Sequence, residues 1–340
     1  MKMTISDIAK LANVSKSAVS IVLNNKTGVS DKTRQKILDT IKKYNYNPNS
    51  LAQSLVAKET KSIGLIIKEI DNPYSSKVMK GVYDECSRQG YTVLLASSEL
   101  SAEKEYEIIN TLLSKQIDGL LISPIQSEEA DFTHLANLLS NNFPLVTLGN
   151  IRNYNANTVD IDNFQAAYDA VSYLIKLGHK KIAHLAGPSH SGHGQKRFEG
   201  YQQALIDNGI LINKNYILSV EPYIENGYKT GLKLFSTGEK PPTAIFCYND
   251  LVAIGVVKAL LELNIKVPEE VSVIGFDNID FSEYVRIPLT TIQMPAYEIG
   301  RAATKLLIKQ IANSTRLLNE KIILEHELVL RSSCYKLTKR

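Results

Sequence analysis

Cysteine is scarce in this chain of 340 residues: only Cys86, Cys247 and Cys334 occur. They are scattered and odd in number, so neither a disulfide framework nor a metal-ligand spacing follows from them. Cys86 and Cys247 sit in apolar-rich stretches and read as small core residues. His184, His190 and His193 form no metal-ligand pattern either. No stretch approaches the length of a membrane span, and the opening MKMTISDIAKLANV holds no apolar run long enough for a secretory signal. The expected place is the cytoplasm, with no membrane contact. A phosphate-cradling GxxxxGK(S/T) is missing. Gly192-His193-Gly194 starts like a dinucleotide fingerprint, but Arg197 stands where the third glycine belongs and no acidic ribose partner is evident. No Ser-His-Asp arrangement can be claimed from order alone. The expectation is therefore no catalytic residue, no metal and no cofactor.

What is present is an ordinary globular composition, 44% apolar and 22% charged, in a chain long enough for two or three units and a large core. The net charge of +4 is unevenly placed. Residues 1–60 hold ten Lys/Arg against four Asp/Glu, whereas the remaining 280 hold 29 against 31. A basic head on a near-neutral body points to a polyanion partner for the head alone.

The head carries helical patterns. Thr4 precedes ISDIAKLA with Asp7 three residues on, an N-cap with an acid near the positive helix end. Ile5, Ile8 and Leu11 make one apolar stripe. Ser15 caps a second pattern in which Ala18, Val19, Val22 and Leu23 face inward, while Lys16, Ser17, Ser20, Ile21 and Asn24 face outward. Ser30 or Asp31 starts a third helix that offers Ile37, Leu38, Ile41 and Tyr44 to a small three-helix core. Two helices joined by a tight turn at Ala12-Asn13-Val14, the second with a polar outer face, suit a major groove.

From Ser62 onward, short apolar runs (SIGLIIK, YTVLLAS, IDGLLIS, PLVTLGN, KIAHLAG, TAIFCYN, VSVIGF) alternate with helical patterns such as SKVMKGVYDECSRQ and DLVAIGVVKALLELN. Such alternation gives parallel sheets covered by helices, an α/β body behind an all-α head. Ligands on such folds sit beyond the carboxyl ends of strands.

The segments TISDIAKLANVSKSAVSIVLNN, VSDKTRQKILDTIKKYNYNPN and LAQSLVAKETKSIGLII resemble the LacI/GalR family of bacterial transcription regulators. So do GYTVLLASSE, QIDGLLISP, GHKKIAHLAGP, RFEGY, PTAIFCYNDLVAIGV, VPEEVSVIGFDN and LTTIQMP, in that order along the chain. The resemblance implies a helix-turn-helix head (1–47), a hinge helix and linker (48–60) and an effector-binding and dimerisation body (61–340). The body would be two periplasmic-binding-protein-like lobes crossed three times by the chain. Lobe one would be 61–161 plus 293–320 and lobe two 162–292 plus 321–333.

By the same resemblance Lys16, Ser17 and Ile21 read bases, and Thr4, Ser15, Asn24, Ser30 and Thr33 contact phosphates. Hydroxyls, amides and helix N-termini fix register on the duplex while a few outward side chains read base edges. Ile21 departs from the polar residue common at its position and fits contact with a thymine methyl. Leu55 matches the leucine wedged into the minor groove, and Pro48 fits a helix start. Val56 stands where a lysine is common. An isolated helix this short is marginal in water, so it should order only when two copies pair on DNA.

For the body, the resemblance assigns Asn72, Tyr74, Asp162, His193, Arg197, Tyr223, Asn249, Asp277 and Gln293 to the effector cleft. Arg197 and Asp277 would form a charged clamp for hydroxyls or a carboxylate. Ser75 and Gly149-Asn150 depart from the family pattern and remove groups that stack on or grip a sugar ring. The implied function is a DNA-binding regulator, a repressor by family habit, working as a homodimer on a near-palindromic double-stranded operator and switched by a sugar or sugar derivative. The tail SSCYKLTKR has no leucine heptads, so a dimer rather than a tetramer is expected. Three rival readings stand beside this one. A solute-binding protein shares the body but not the basic head. A regulator of the same build can be controlled by a phosphorylated carrier protein. An enzyme can be built on a doubly wound sheet, though no nucleophile or cofactor motif supports it.

Overall fold

The computed structural model describes residues 3–23, 26–46, 59–125, 133–149, 151, 154–188, 191–236, 241–313 and 319–337. Contacts divide the chain into two units, Met1–Thr60 and Lys61–Arg340.

In the first unit α1 (Ile5–Leu11), α2 (Lys16–Leu23) and α3 (Asp31–Lys43) surround Ile8, Ala9, Ala12, Val19, Val22, Ile37 and Tyr46. Thr4 and Asp7 close α1 with a reciprocal capping box: the Thr4 N–H donates to Asp7 Oδ2 at 2.9 Å and the Asp7 N–H to Thr4 Oγ1 at 3.4 Å. The turn into α2 passes through Asn13 at φ 48°, and the Val14 N–H returns to the Ala9 carbonyl at 3.0 Å. Three side chains expected in this core are outside it: Leu11, Leu38 and Tyr44 are exposed. Tyr46 is used in place of Tyr44. The chain turns at Asn45 (φ 46°), the Tyr46 N–H bonds the Ile41 carbonyl, and this swings the second tyrosine inward.

The second unit holds two six-stranded sheets. The first contains β1 (Ser62–Ile67), β2 (Thr92–Ser97), β3 (Gly119–Ile122), β4 (Leu145–Leu148) and β5 (Asn157–Ile161). The second contains β6 (Ile182–Ala186), β7 (Ile217–Ser219), β8 (Ala244–Cys247), β9 (Ser272–Asp277) and β10 (Thr290–Gln293). The last strands, β11 (Lys321–Leu324) and β12 (Glu327–Val329), divide between them. The orders are β11-β5-β4-β3-β1-β2 and β12-β10-β9-β8-β6-β7, parallel except for β12 against β10.

Burial on both faces explains the near-continuous apolar strands. In β1, Ile63, Leu65 and Ile67 join one core layer and Ile66 the other; Leu121 and Val146 oppose Leu120 and Leu145 in the same way. Helices Pro73–Arg88 and Ala296–Ala312 pack backbone to backbone. A Cβ on Gly81 would strike the Tyr297 carbonyl and one on Gly300 the Val78 carbonyl, so only glycine permits that approach.

The chain passes between sheets after β5, after β10 and after β11. This corrects the expected lobe limits: 321–324 pairs with β5 in the first sheet, and Gln293 closes a strand of the second. A short crossing at Glu325-His326 lets consecutive strands serve different sheets, a switch invisible in strand-forming pattern alone.

Candidate functional site

On the head, Lys16 and Ser17 are exposed at the start of α2, and Ile21 is half-buried one turn on, its Cδ1 lying over Gly28. The hydroxyls expected to meet phosphates all sit at helix N-termini. Ser15 Oγ accepts the Ala18 N–H at 3.1 Å. Ser30 Oγ accepts the Thr33 N–H at 3.4 Å and lies 2.9 Å from Thr33 Oγ1, while Thr4 caps α1. Each cap marks a positive helix end that attracts phosphate oxygens. Hydrogen bonding by Thr4 holds the Asp7 carboxyl below its ordinary pKa. Asn24 and Leu55 lie outside the described residues, as do residues 48–58 of the expected hinge.

The body holds a cavity of about 100 Å³ between the lobes. Asn72, Tyr74, His193, Arg197, Asn249 and Asp277 line it, as the resemblance implied. Helix N-termini deliver several of them. Asn72 caps Pro73–Arg88 by accepting the Tyr74 N–H at 2.9 Å, Ser191 caps Gly192–Asp207, and Asn249 caps Asp250–Glu262 by accepting the Val252 N–H at 2.9 Å. His193 and Arg197 are four residues apart on one helix, so both face the cavity. Gly192 and Gly194 lie in the first turn of that helix.

Arg197 is fixed on every side. Its Nε donates to Asn163 Oδ1 at 3.0 Å, Nη1 to the Tyr248 carbonyl at 2.6 Å and Nη2 to Met294 Sδ at 3.5 Å. The Asp277 carboxylate stands 3.7 Å away, near enough for an ion pair but not a hydrogen bond. Burial pushes the Asp277 carboxyl up to about 7 against the opposing pull of Arg197. Behind it Asp250, fully buried, accepts the Ile279 N–H at 2.9 Å and the Thr291 hydroxyl at 2.5 Å. Burial, then the charge of Asp277, pushes Asp250 up to about 8. These bonds hold a turn in which Asp277 (φ 107°) and Asn278 (φ 51°) both have left-handed backbone, a cost of order 1–3 kcal/mol each for non-glycine residues. Asp250 is thus a brace for the strand end.

Among the described residues several polar contacts join the lobes at the cleft. His193 Nε2 stands 3.2 Å from Asp160 Oδ2, an ion-pair distance without hydrogen-bond alignment. Despite burial, His193 and then the Ile161 N–H hold Asp160 below its ordinary pKa. Gly149 leaves the room that His193 fills, since a Cβ there would strike the imidazole. The Tyr223 hydroxyl reaches the Glu69 carboxylate, which raises the Tyr223 pKa. Lys77 pairs with Asp280 at 2.6 Å in an exposed bridge worth little by itself.

Three expected cleft residues lie off the cavity wall. Asp162 is spent as the cap of Asn163–Lys176, accepting the Gln165 N–H at 2.9 Å, and lines a separate depression. Gln293 bonds the Asn278 amide and donates to the Met294 carbonyl at 2.8 Å. Tyr223 stands at the rim, 40% exposed. The resemblance missed Lys68, Glu69, Asp160 and Tyr248. Lys68, Glu69 and Tyr248 follow the apolar runs of β1 and β8, the position where such sheets bind ligands, and that signal could have found them; Asp160 lies one residue inside the end of β5, whose sequence NTVDI is no apolar run. His184 is a core histidine stacked on Tyr201 and Phe246; burial lowers its pKa to about 4.

A basic helix-turn-helix unit attached to a two-lobed, cleft-bearing body defines a ligand-gated DNA-binding regulator. Residues 4–49 match the family of bacterial regulatory proteins of the lacI type, and residues 60–332 match the periplasmic binding proteins and sugar binding domain of the LacI family. The chain belongs to the LacI family. It is 34% identical over 332 residues to the HTH-type transcriptional repressor PurR of Haemophilus influenzae (strain PittEE), covering 97% of this chain and 98% of that protein. It is 34% identical over 336 residues to catabolite control protein A of Priestia megaterium, covering 98% and 99%. In structure it is similar to the lac repressor dimer bound to operator and the anti-inducer ONPF, with TM-score 0.90, 25% identity and coverage of 98% and 100%. It is also similar to an Enterococcus faecium LacI family regulator with bound ribose, with TM-score 0.70, 27% identity and coverage of 82% and 100%. Among the described residues no helix is long and apolar enough to cross a membrane.

Proposed function

We propose that the chain is a cytoplasmic transcriptional repressor that binds a near-palindromic operator as a homodimer and is switched by a sugar or sugar derivative in the interlobe cavity. One head reads only a few base pairs, so a symmetric pair is required for specificity. Lys16, Ser17 and Ile21 read base edges; Thr4, Ser15, Asn24, Ser30 and Thr33 hold phosphates. Residues 48–60 act as the hinge, with Leu55 as the minor-groove wedge. The body supplies the dimer contacts: Tyr83 on Pro73–Arg88 and Tyr284 beyond β9 are large apolar side chains at 62% and 81% exposure. The effector closes the lobes around Arg197, Asp277, Asn249, Asn72, Tyr74 and His193, and changes the spacing of the hinges. It shifts that equilibrium only through its different affinity for the two states.

The observation that carries this reading is the cavity between two parallel sheets, floored by the braced Arg197 and Asp277, in a chain whose head exposes Lys16 and Ser17 at a capped helix start. A gel shift across a salt series tests it. Affinity for duplex DNA falls with rising salt if several phosphates are neutralised; affinity that ignores salt contradicts the role of the head.

A further inference from the structure

Two adjacent residues on the cavity wall carry polar groups that the protein does not use. Glu69 is 8% exposed, and its Oε1 has no hydrogen-bond partner. Lys68 lines the same cavity, is half-buried, and makes no side-chain hydrogen bond or ion pair among the described residues. The other permanently charged cation on that wall, Arg197, is engaged by Asn163, Tyr248 and Asp277. Burial lowers the Lys68 pKa, and the Glu105, Asp160 and Glu69 carboxylates pull it back only in part. A half-buried ammonium with no direct partner loses part of its hydration uncompensated, and a buried carboxylate oxygen left unbonded is costly.

We propose, on the basis of the effector-cleft reading above, that the effector is an anionic polyol, whose carboxylate or phosphate pairs with Lys68 and one of whose hydroxyls donates to Glu69 Oε1. A neutral sugar leaves Lys68 uncompensated. A bare anion meets the carboxylates of Glu69, Asp160 and Asp277 with no donor to offer them. A ligand with both groups satisfies both residues. Several waters fit in a cavity of about 100 Å³, so the ligand is the size of one sugar ring rather than a chain of them. Tyr74 and Tyr248, with Leu148 and Met294, supply apolar surface for the ring.

Calorimetric titration of the full-length chain with matched probes tests this: ribose against ribose 5-phosphate, glucose against glucose 6-phosphate, and glucose against glucuronate and gluconate. In at least one pair the charged member binds about tenfold tighter or better, the size of one charge-assisted hydrogen bond. Whether the phosphates or the acids win separates the two anion sources. Lys68→Gln collapses that preference, and Lys68→Arg, which keeps the charge, retains most of it. Neutral members binding as well as charged ones, or a preference untouched by Lys68→Gln, overturns the inference while leaving the cleft as the effector site. Silence from every probe, charged and neutral, counts against the sugar-type effector itself as well as against the role of Lys68.

Discussion

The Arg197 guanidinium stacks on the Phe276 ring, with its central carbon 3.5 Å from the ring centroid. Phe276 immediately precedes Asp277, so one strand end supplies both the platform and the counter-charge. A planar, rigid fork is needed to stack there while still reaching Asn163 and the Tyr248 carbonyl, and lysine cannot do this.

Arg197→Lys is therefore expected to weaken effector binding and destabilise the body together. Leaving buried acceptors unsatisfied costs about 1–3 kcal/mol each, and each kcal/mol lowers the melting temperature by roughly 2–4 °C in a body of this size. Thermal unfolding with and without effector measures both effects. An unchanged melting temperature would mean that Arg197 is not a fixed post in the cavity floor.

Asp277 makes stability depend on pH in a definite direction. A carboxyl raised from 3.8 to about 7 holds its proton more tightly folded than unfolded. Its contribution is most favourable below the unfolded value, declines as pH rises toward about 7, and is level above. Asp160, held low, acts in the opposite sense and its contribution is lost as pH falls. Asp277→Asn should thus gain stability relative to the parent as pH rises from about 4.5 to about 7.5. A difference independent of pH would show that Asp277 is charged throughout that range.

Most of this site was legible before the fold was known, and the exceptions have physical causes. Strand-end residues such as Asn72, Asn249 and Asp277 could be placed because apolar runs mark parallel strands and ligands gather at their carboxyl ends. His193 and Arg197 were placed only through the family resemblance; that they share one helix four residues apart is visible in the structure alone. Asp162 and Gln293, expected in the cleft, lie off the cavity wall because their side chains are bonded locally, one as a cap and the other against Asn278. Sequence position shows where a side chain starts but not which neighbour claims it. The same limit explains Tyr44 and Tyr46, where one left-handed residue decides which tyrosine is buried.

The base-reading role proposed for Ile21 rests on a methyl-rich contact in place of a hydrogen bond. A base-substitution series should show preference for T·A at one position per half-site, and Ile21→Ala should reduce it by about 1 kcal/mol or more. Equal affinity for all base pairs at every position would reject that contact.

The proposed wedge predicts that Leu55→Ala loses affinity for a specific site by far more than for random duplex, since only the bent, specific complex uses the inserted side chain. Competition binding against both duplexes measures the ratio, and equal losses would remove Leu55 from the recognition step.

Whether the head reads sequence at all is decided by selecting, from a pool of randomised duplexes, those that the full-length protein retains. This needs no assumption about which bases are read. A near-palindrome with two matching half-sites should be enriched, bound at least about a thousandfold more tightly than the starting pool at physiological salt. A selected pool that remains random, with and without the anionic polyols above, would show that the head is no sequence-reading device.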